Sequence, residues 1–232
     1  VVEVQVRHRD ELGRERLLAP RALRGAPVEE WPVLHEQRPY KGRRSKVRQY
    51  WSSTTKKSFV CRSLEHRDAA MVLDRARDIA YLSASSLQLE WSDGERTGVV
   101  DPAFMARTVG GQRCLYLYGR GGRDPDGQEA AVARAAGQEA DWQVRTARVP
   151  EGLLRRNLYL ISHFRHDENA DEEARAVLLQ AFARPRPLCE GADSLALPRS
   201  LCWYLLWTGE LTTNWDLPLI PTSIVWAAGE SA

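Results

Sequence analysis

Ser63-Leu64-Glu65-His66-Arg67-Asp68-Ala69-Ala70-Met71-Val72-Leu73-Asp74 is the stretch on which the fold turns. Serine is a favoured N-cap, and Leu64, Met71 and Leu73 alternate with charged residues at helical spacing around Ala69 and Ala70. The stretch predicts a helix over 63–76. Downstream, Leu87-Gln88-Leu89-Glu90-Trp91 alternates with period two, Asp93-Gly94 is a turn signal, and residues 99–107 and 114–118 predict two further strands around Gly110-Gly111. An alanine-rich helix over 128–139 and a strand over 142–146 complete the order helix, three strands, helix, strand. That order predicts an α/β or mixed α+β core.

Upstream, Val2, Val4 and Val6 alternate with Glu3, Gln5 and Arg7, and Arg16-Leu17-Leu18 can return beside them, so the chain opens on a hairpin. Residues 31–37 read as extended. Arg48 to Trp51, Ser52 to Thr55 and Ser58 to Cys61 read as strand, turn and strand. From Pro150 the pattern becomes helical, with amphipathic helices over 153–165 and 169–183, closed by Pro185 and Pro187, a third helix over 198–207, and a short strand over 223–226. The reading divides the chain into a β-rich segment with a basic loop (1–62), a core (63–149) and a small C-terminal helical domain (150–232).

With 232 residues, 43% of them hydrophobic and 28% charged, the chain can bury a sizeable core, which excludes disorder as the main state. No apolar run approaches the length of a membrane span, and the first 30 residues lack the apolar block of a signal peptide. A cytoplasmic protein without a membrane partner is expected. Cys61, Cys114, Cys189 and Cys202 are too far apart for zinc-ligand spacing and read as buried thiols in a reducing compartment.

Thirty-three basic and 31 acidic side chains leave a net charge of only +2, but their distribution is uneven. From Arg38 to Lys57 the chain carries Arg38, Lys41, Arg43, Arg44, Lys46, Arg48, Lys56 and Lys57, with no acid and with Tyr40, Tyr50 and Trp51 interleaved. Such a field attracts a polyanion, and aromatic rings beside it can lie against sugar or base. Nucleic-acid contact is the functional reading of Lys41, Arg43, Arg44, Lys46, Arg48, Lys56 and Lys57. A solvated loop neutralised by acids elsewhere is the alternative.

The order of short motifs resembles the TnsA-like endonuclease subunits of heteromeric cut-and-paste transposases, in their long actinobacterial form. The resemblance runs through Tyr50-Trp51-Ser52-Ser53-Thr54-Thr55, Ser63 to Asp74, Leu89-Glu90-Trp91-Ser92-Asp93-Gly94, Pro102 with Phe104 to Arg107, Ala183-Arg184-Pro185-Arg186-Pro187, and Leu205-Leu206-Trp207-Thr208-Gly209-Glu210-Leu211. It implies a restriction-endonuclease-like core sheet flanked by helices, and a winged-helix-like C-terminal module used for assembly or DNA contact. It also implies transposon-end DNA, a TnsB-like transposase and a second TnsA-like chain as partners, and a nucleoid-associated location. In that family a helix Glu and a strand Asp hold a divalent metal, and a basic residue on the next strand supports the attacked phosphate.

This chain departs from the pattern at each of the three positions. His66 stands at the helix Glu, Ala103 at the strand Asp, and Tyr118 in the segment expected to carry the basic residue. Hard cations such as Mg²⁺ or Mn²⁺ need clustered carboxylate oxygens, so the expectation is an impaired site with no metal cofactor. An active alternative relocates the site to Glu65, Asp101 and Arg120, with Glu65 and Asp101 as metal ligands, because Asp101 lies two residues before Ala103 and would share its strand face. In that case Mg or Mn would be required. A third reading is a DNA-binding or defence module without an integrase partner. His66 as a metal ligand is set against a surface or capping histidine. His163, His166, Asp167 and Glu168 read as a solvated helix end, and Gly119 to Arg123 as a flexible basic loop. Trp203, Tyr204, Trp207, Trp215 and Trp226 suit either a packed small core or a partner surface.

Overall fold

The computed structural model describes residues 2–34, 47–118, 127–166 and 172–229. Among them are six α-helices and thirteen strands, in two compact units. One comprises residues 1–74 and 78–149, the other residues 75–77 and 150–232. No helix among the described residues is long and apolar enough to cross a membrane.

The first unit is organised by one long, bent hairpin. Its outgoing arm is β5 (Ile79–Ser83) and β6 (Leu87–Ser92), and its returning arm is β7 (Thr97–Val100) and β8 (Phe104–Thr108). Leu89 pairs with Val100 and Ser92 with Thr97, while Leu82 pairs with Ala106 and Ser83 with Met105. The two registers differ by a single residue, so the arms stay in step across the gap between them. The turn falls at Asp93-Gly94, with Gly94 in the left-handed region at φ 94°. The break on the returning arm is Asp101-Pro102-Ala103, where proline has no N–H to give the ladder.

Each half of the hairpin is widened on its own side. β1 (Glu3–Arg9) pairs with β6 and with β2 (Glu15–Leu18), giving the order β2-β1-β6-β7. β9 (Arg113–Leu117) pairs antiparallel with β8, and β10 (Gln143–Thr146) pairs parallel with β9, giving β10-β9-β8-β5. A parallel neighbour needs a crossover, which α2 (Gly127–Ala140) supplies. The N-terminal strands are therefore built into the core ladder.

α2 lies across both halves. Val4, Val6, Leu87, Leu89, Val100, Met105, Leu115 and Leu117 from the strands meet Val132, Ala133, Ala136 and Ala140 in one buried cluster. The small residues of α2 allow close approach. At Gly137 a Cβ would stand 2.7 Å from the Trp142 carbonyl oxygen, which fixes glycine there. At the far end of β8, buried Glu29 accepts a hydrogen bond from Arg113 Nε (3.1 Å), and Arg107 Nη1 lies 3.1 Å from its other oxygen as a charge contact.

Four expectations change. Residues 99–107 form two strands because Pro102 interrupts them, and β5 was not anticipated. The three strands expected after the first helix therefore do not lie in one sheet: β6 joins β1 and β7, whereas β8 and β9 join β5 and β10. Residues 31–34 adopt no regular strand, Leu34 being tied by one bond from its N–H to the Ser85 carbonyl (2.9 Å), and residues 35–37 lie outside the described residues.

α1 (Leu64–Asp74) ends two residues before the predicted limit, at a side chain with a specific task. Asp74 is only 4% exposed, and its carboxylate accepts bonds from Tyr50 OH (2.9 Å), Ser52 Oγ (2.6 Å), Ser53 N (2.9 Å), Ser53 Oγ (3.1 Å) and Thr54 N (2.9 Å). These donors belong to β3 (Arg48–Trp51) and to the turn leading into β4 (Ser58–Cys61). A helix C-terminus disfavours an anion, so the donors must offset both burial and dipole.

The second unit holds α3 (Gly152–Ile161), α4 (Glu172–Ala181), β11 (Arg186–Pro187), α5 (Leu188–Asp193), α6 (Arg199–Thr208), β12 (Leu211–Thr213) and β13 (Ile224–Ala227). Its antiparallel sheet has the order β11-β13-β12. α6 is the central helix: Leu201, Cys202, Leu205, Leu206 and Trp207 are buried, and Gly209 closes it in the left-handed region at φ 77°. Buried Asn157 of α3 donates to the Leu217 carbonyl (2.8 Å) and accepts from Leu219 N (3.0 Å), holding the loop between β12 and β13.

Replacing Asp74 with Ala would strand buried hydroxyls and N–H groups. It should lower the stability of the full chain by about 3 kcal/mol, read from the midpoint of urea unfolding.

Candidate functional site at the start of β8

α1 begins with Ser63 Oγ accepting the N–H of His66 at 3.0 Å, an N-cap bond to the third helical residue. In a capping box that third residue is Glu or Gln and reaches back to the chain before the helix. Here His66 does so, its Nδ1 accepting the Arg62 N–H at 3.1 Å. Its other nitrogen, Nε2, lies 3.0 Å from the Ala103 carbonyl oxygen. A carbonyl only accepts and the Arg62 N–H only donates, so the ring is neutral with its proton on Nε2.

The imidazole is 1% exposed and lies beside the Phe104 ring, centroids 4.4 Å apart. Burial, with Arg62 nearby, pushes its pKa down to about 4. His66 is thus a capping histidine, but a buried one. It pins the start of α1 to the break in the hairpin.

The positions singled out from the sequence do converge. Tyr118, just past β9, donates to Glu65 Oε2 at 2.5 Å, and burial together with that bond raises the phenol above its ordinary range. Ala103 is fully buried, its N–H bonded to the Tyr116 carbonyl (2.7 Å). His66, Ala103 and Tyr118 therefore meet through the first turn of α1, the start of β8 and the end of β9.

Asp101 sits differently from its expectation. It belongs to the break rather than to a strand, and its half-exposed side chain accepts from Gln88 Nε2 at 2.7 Å, whereas Ala103 is sealed. The shared strand face assumed for these two residues does not exist, because the ladder stops between β7 and β8. Arg62 Nη2 donates to the carbonyls of Asp101 (3.4 Å) and Pro102 (3.1 Å), placing a guanidinium beside this carboxylate. Arg120 lies outside the described residues.

His66 and Ala103 are poorly suited to a hard divalent cation. The free lone pair of His66 is taken by a backbone N–H, Ala103 offers only a carbonyl already engaged by that imidazole, and Arg62 adds fixed positive charge at Asp101. Among the described residues no group of three His, Cys, Asp or Glu side chains could hold a metal ion.

Sequence reasoning missed Asp68, whose fully buried carboxylate accepts from Arg67 Nε (3.0 Å) and Nη2 (2.6 Å). Its place three residues after Glu65, on one side of a helix, was the available signal. It also missed Arg62, which gave no signal because its partners are main-chain carbonyls distant in sequence.

The basic set is divided. Lys41, Arg43, Arg44 and Lys46 lie outside the described residues, as do Asp167, Glu168 and residues 119–123. Arg48 is exposed at the open end of the β3–β4 hairpin, where it pairs with Cys61, whereas Lys56 and Lys57 are exposed at the turn. Lys57 Nζ donates to Tyr81 OH (3.0 Å), and Lys56 Nζ lies 5.6 Å from the Trp51 ring centroid. No protein-family model matches the chain and no curated protein matches it either, so its own geometry carries the argument.

His66 sets a pH window. The unfolded chain takes up a proton near pH 6.5 and the folded one only near 4, so stability rises with pH between these values. The contribution, about 3 kcal/mol, is complete above pH 6.5 and lost as pH falls towards 4. Urea titrations of wild type and His66→Gln from pH 4 to 7.5 should show a steeper loss in the wild type. Parallel curves would remove His66 from the account.

Proposed function

We propose that this protein is a TnsA-like subunit of a DNA transposition complex, built on a restriction-endonuclease-like core, that binds transposon-end DNA and a TnsB-like transposase and is impaired in cleavage. The observation that carries the reading is the order α1, β5, β8, β9, α2, β10, in a sheet ordered β10-β9-β8-β5 with the last-formed pair parallel. This arrangement brings the start of α1, the start of β8 and the end of β9 together, where such a core keeps its carboxylates. At those places stand His66, Ala103 and Tyr118. That order suits such a core, and the side chains at these three positions carry no carboxylate.

The second unit supports a role in assembly. Its order α4, β11, α5, α6, β12, β13 and sheet β11-β13-β12 suit a winged-helix-like module, in which α6 would be the helix offered to a DNA groove. α6 is apolar on several sides, and its one basic residue, Arg199, is bound to Asp193 through two nitrogens. Such a helix is suited to packing against protein rather than to reading bases. The partners in this reading are DNA, the transposase chain and a second TnsA-like chain, in a nucleoid-associated setting.

Supercoiled plasmid incubated with the full chain and Mg²⁺ or Mn²⁺ should remain intact. Nicking that is lost in Asp101→Ala or Glu65→Ala would replace this reading with the relocated active site. A TnsB-like chain should co-purify with the protein, and failure to do so would favour a stand-alone DNA-binding module.

DNA affinity should fall steeply with salt. Neutralising Lys41, Arg43, Arg44 and Lys46 to Gln should flatten that dependence by roughly a hundredfold between 50 and 200 mM, at about 0.9 released ions per contact. An unchanged slope would return these residues to a solvated loop.

A further inference from the structure

The turn between β3 and β4 combines three features that its place in the fold does not require. Ser52 N bonds the Lys57 carbonyl (2.9 Å), Lys56 N bonds the Ser52 carbonyl (2.9 Å), and Thr55 N bonds Ser52 Oγ (3.2 Å). Closure of this kind leaves Lys56 in the left-handed region, at φ 55°. Hairpins usually place glycine or asparagine at such a position, because a Cβ there crowds the following carbonyl. Lysine has no conformational advantage at this site. A strained residue held in place by its surroundings points to a use for its side chain.

The surroundings do hold it. The Asp74 carboxylate fixes Ser52, Ser53 and Thr54 from beneath by four hydrogen bonds and Tyr50 by a fifth, and Thr54 Oγ1 donates to the Asp74 carbonyl (2.9 Å). The two successive ammonium groups are spread over separate rings: Lys56 Nζ lies 5.6 Å from the Trp51 centroid and Lys57 Nζ 5.5 Å from that of Tyr81. Both lysines are exposed on the turn. The basic segment from residue 38 to residue 57 ends at this turn.

We propose that the Ser52–Lys57 turn is a preorganised contact for the phosphates of duplex DNA, with Lys56 as a binding residue and Asp74 as the positioning residue beneath it. The proposal rests on the DNA-binding reading above. Rigidity before binding avoids the ordering loss a mobile lysine loop would incur. The same chemistry on a flexible chain would need no buried carboxylate.

The test separates charge from fold by using a substitution that relieves the backbone. In Lys56→Gly the full chain should melt about 2 °C higher than the wild type, because glycine accepts φ 55° freely. Its affinity for a labelled 30-bp duplex of arbitrary sequence, read by fluorescence anisotropy, should nevertheless fall roughly tenfold at 0.1 M salt, with a salt slope shallower by about 0.9. Lys56→Arg should keep affinity and slope. Polyglutamate should compete poorly.

Wild-type affinity and slope in Lys56→Gly would overturn the proposal while leaving the DNA-binding reading intact. Competition by polyglutamate as strong as by DNA would assign the turn to an acidic protein and overturn it too. A wild-type chain that fails to bind the duplex would overturn the functional reading and this inference together.

Discussion

The imidazole of His66, accepting one main-chain N–H and donating to one main-chain carbonyl, is the constraint from which the rest of the first unit follows. It joins Arg62, before α1, to Ala103, at the break in the long hairpin. Both partners are backbone groups at places where regular hydrogen bonding stops, and the ring gives each of them a bond. Because the ring uses both nitrogens in this task, it is neutral. The same bonds that complete the fold remove the lone pair that a metal would need.

α1 is held at its other end by an acid with a comparable role. Asp74 gathers five donors from β3 and the turn after it, so the helix carries a structural side chain at each terminus. Buried polar groups of this kind contribute little beyond their desolvation when satisfied, and are strongly destabilising when one partner is removed. They impose one geometry. In this chain the geometry sets the start of β8 against α1 and fixes the turn that carries Lys56 and Lys57.

The two units place their chemistry differently. In the first, charge is kept at the rims: Arg48, Lys56 and Lys57 are exposed, while Glu29 and Asp68 are buried against arginines. In the second, the central helix is apolar, and Arg75 lies over the Trp215 ring (4.4 Å) while donating to the Leu206 carbonyl (3.0 Å). The aromatic surplus of the C-terminal segment is thus partly absorbed by packing, as with Trp207, which is buried, and Trp203, which stacks on Phe164.

Local pattern determined much of this protein. Period-two runs located β1, β3, β4 and β6, helical spacing located α1, α2, α3 and α6, and the acid-free run marked the basic segment, because each signal lies within one element and needs no knowledge of its neighbours. Short elements such as β5 and α5 escaped because too few residues carry the period. Only the tertiary structure decided that Pro102 splits a strand, that Asp101 faces Gln88 and Arg62 rather than Ala103, and that His66 is a pin and not a ligand. Those outcomes depend on groups 13 to 40 residues away along the chain, whose positions no local run of side chains encodes.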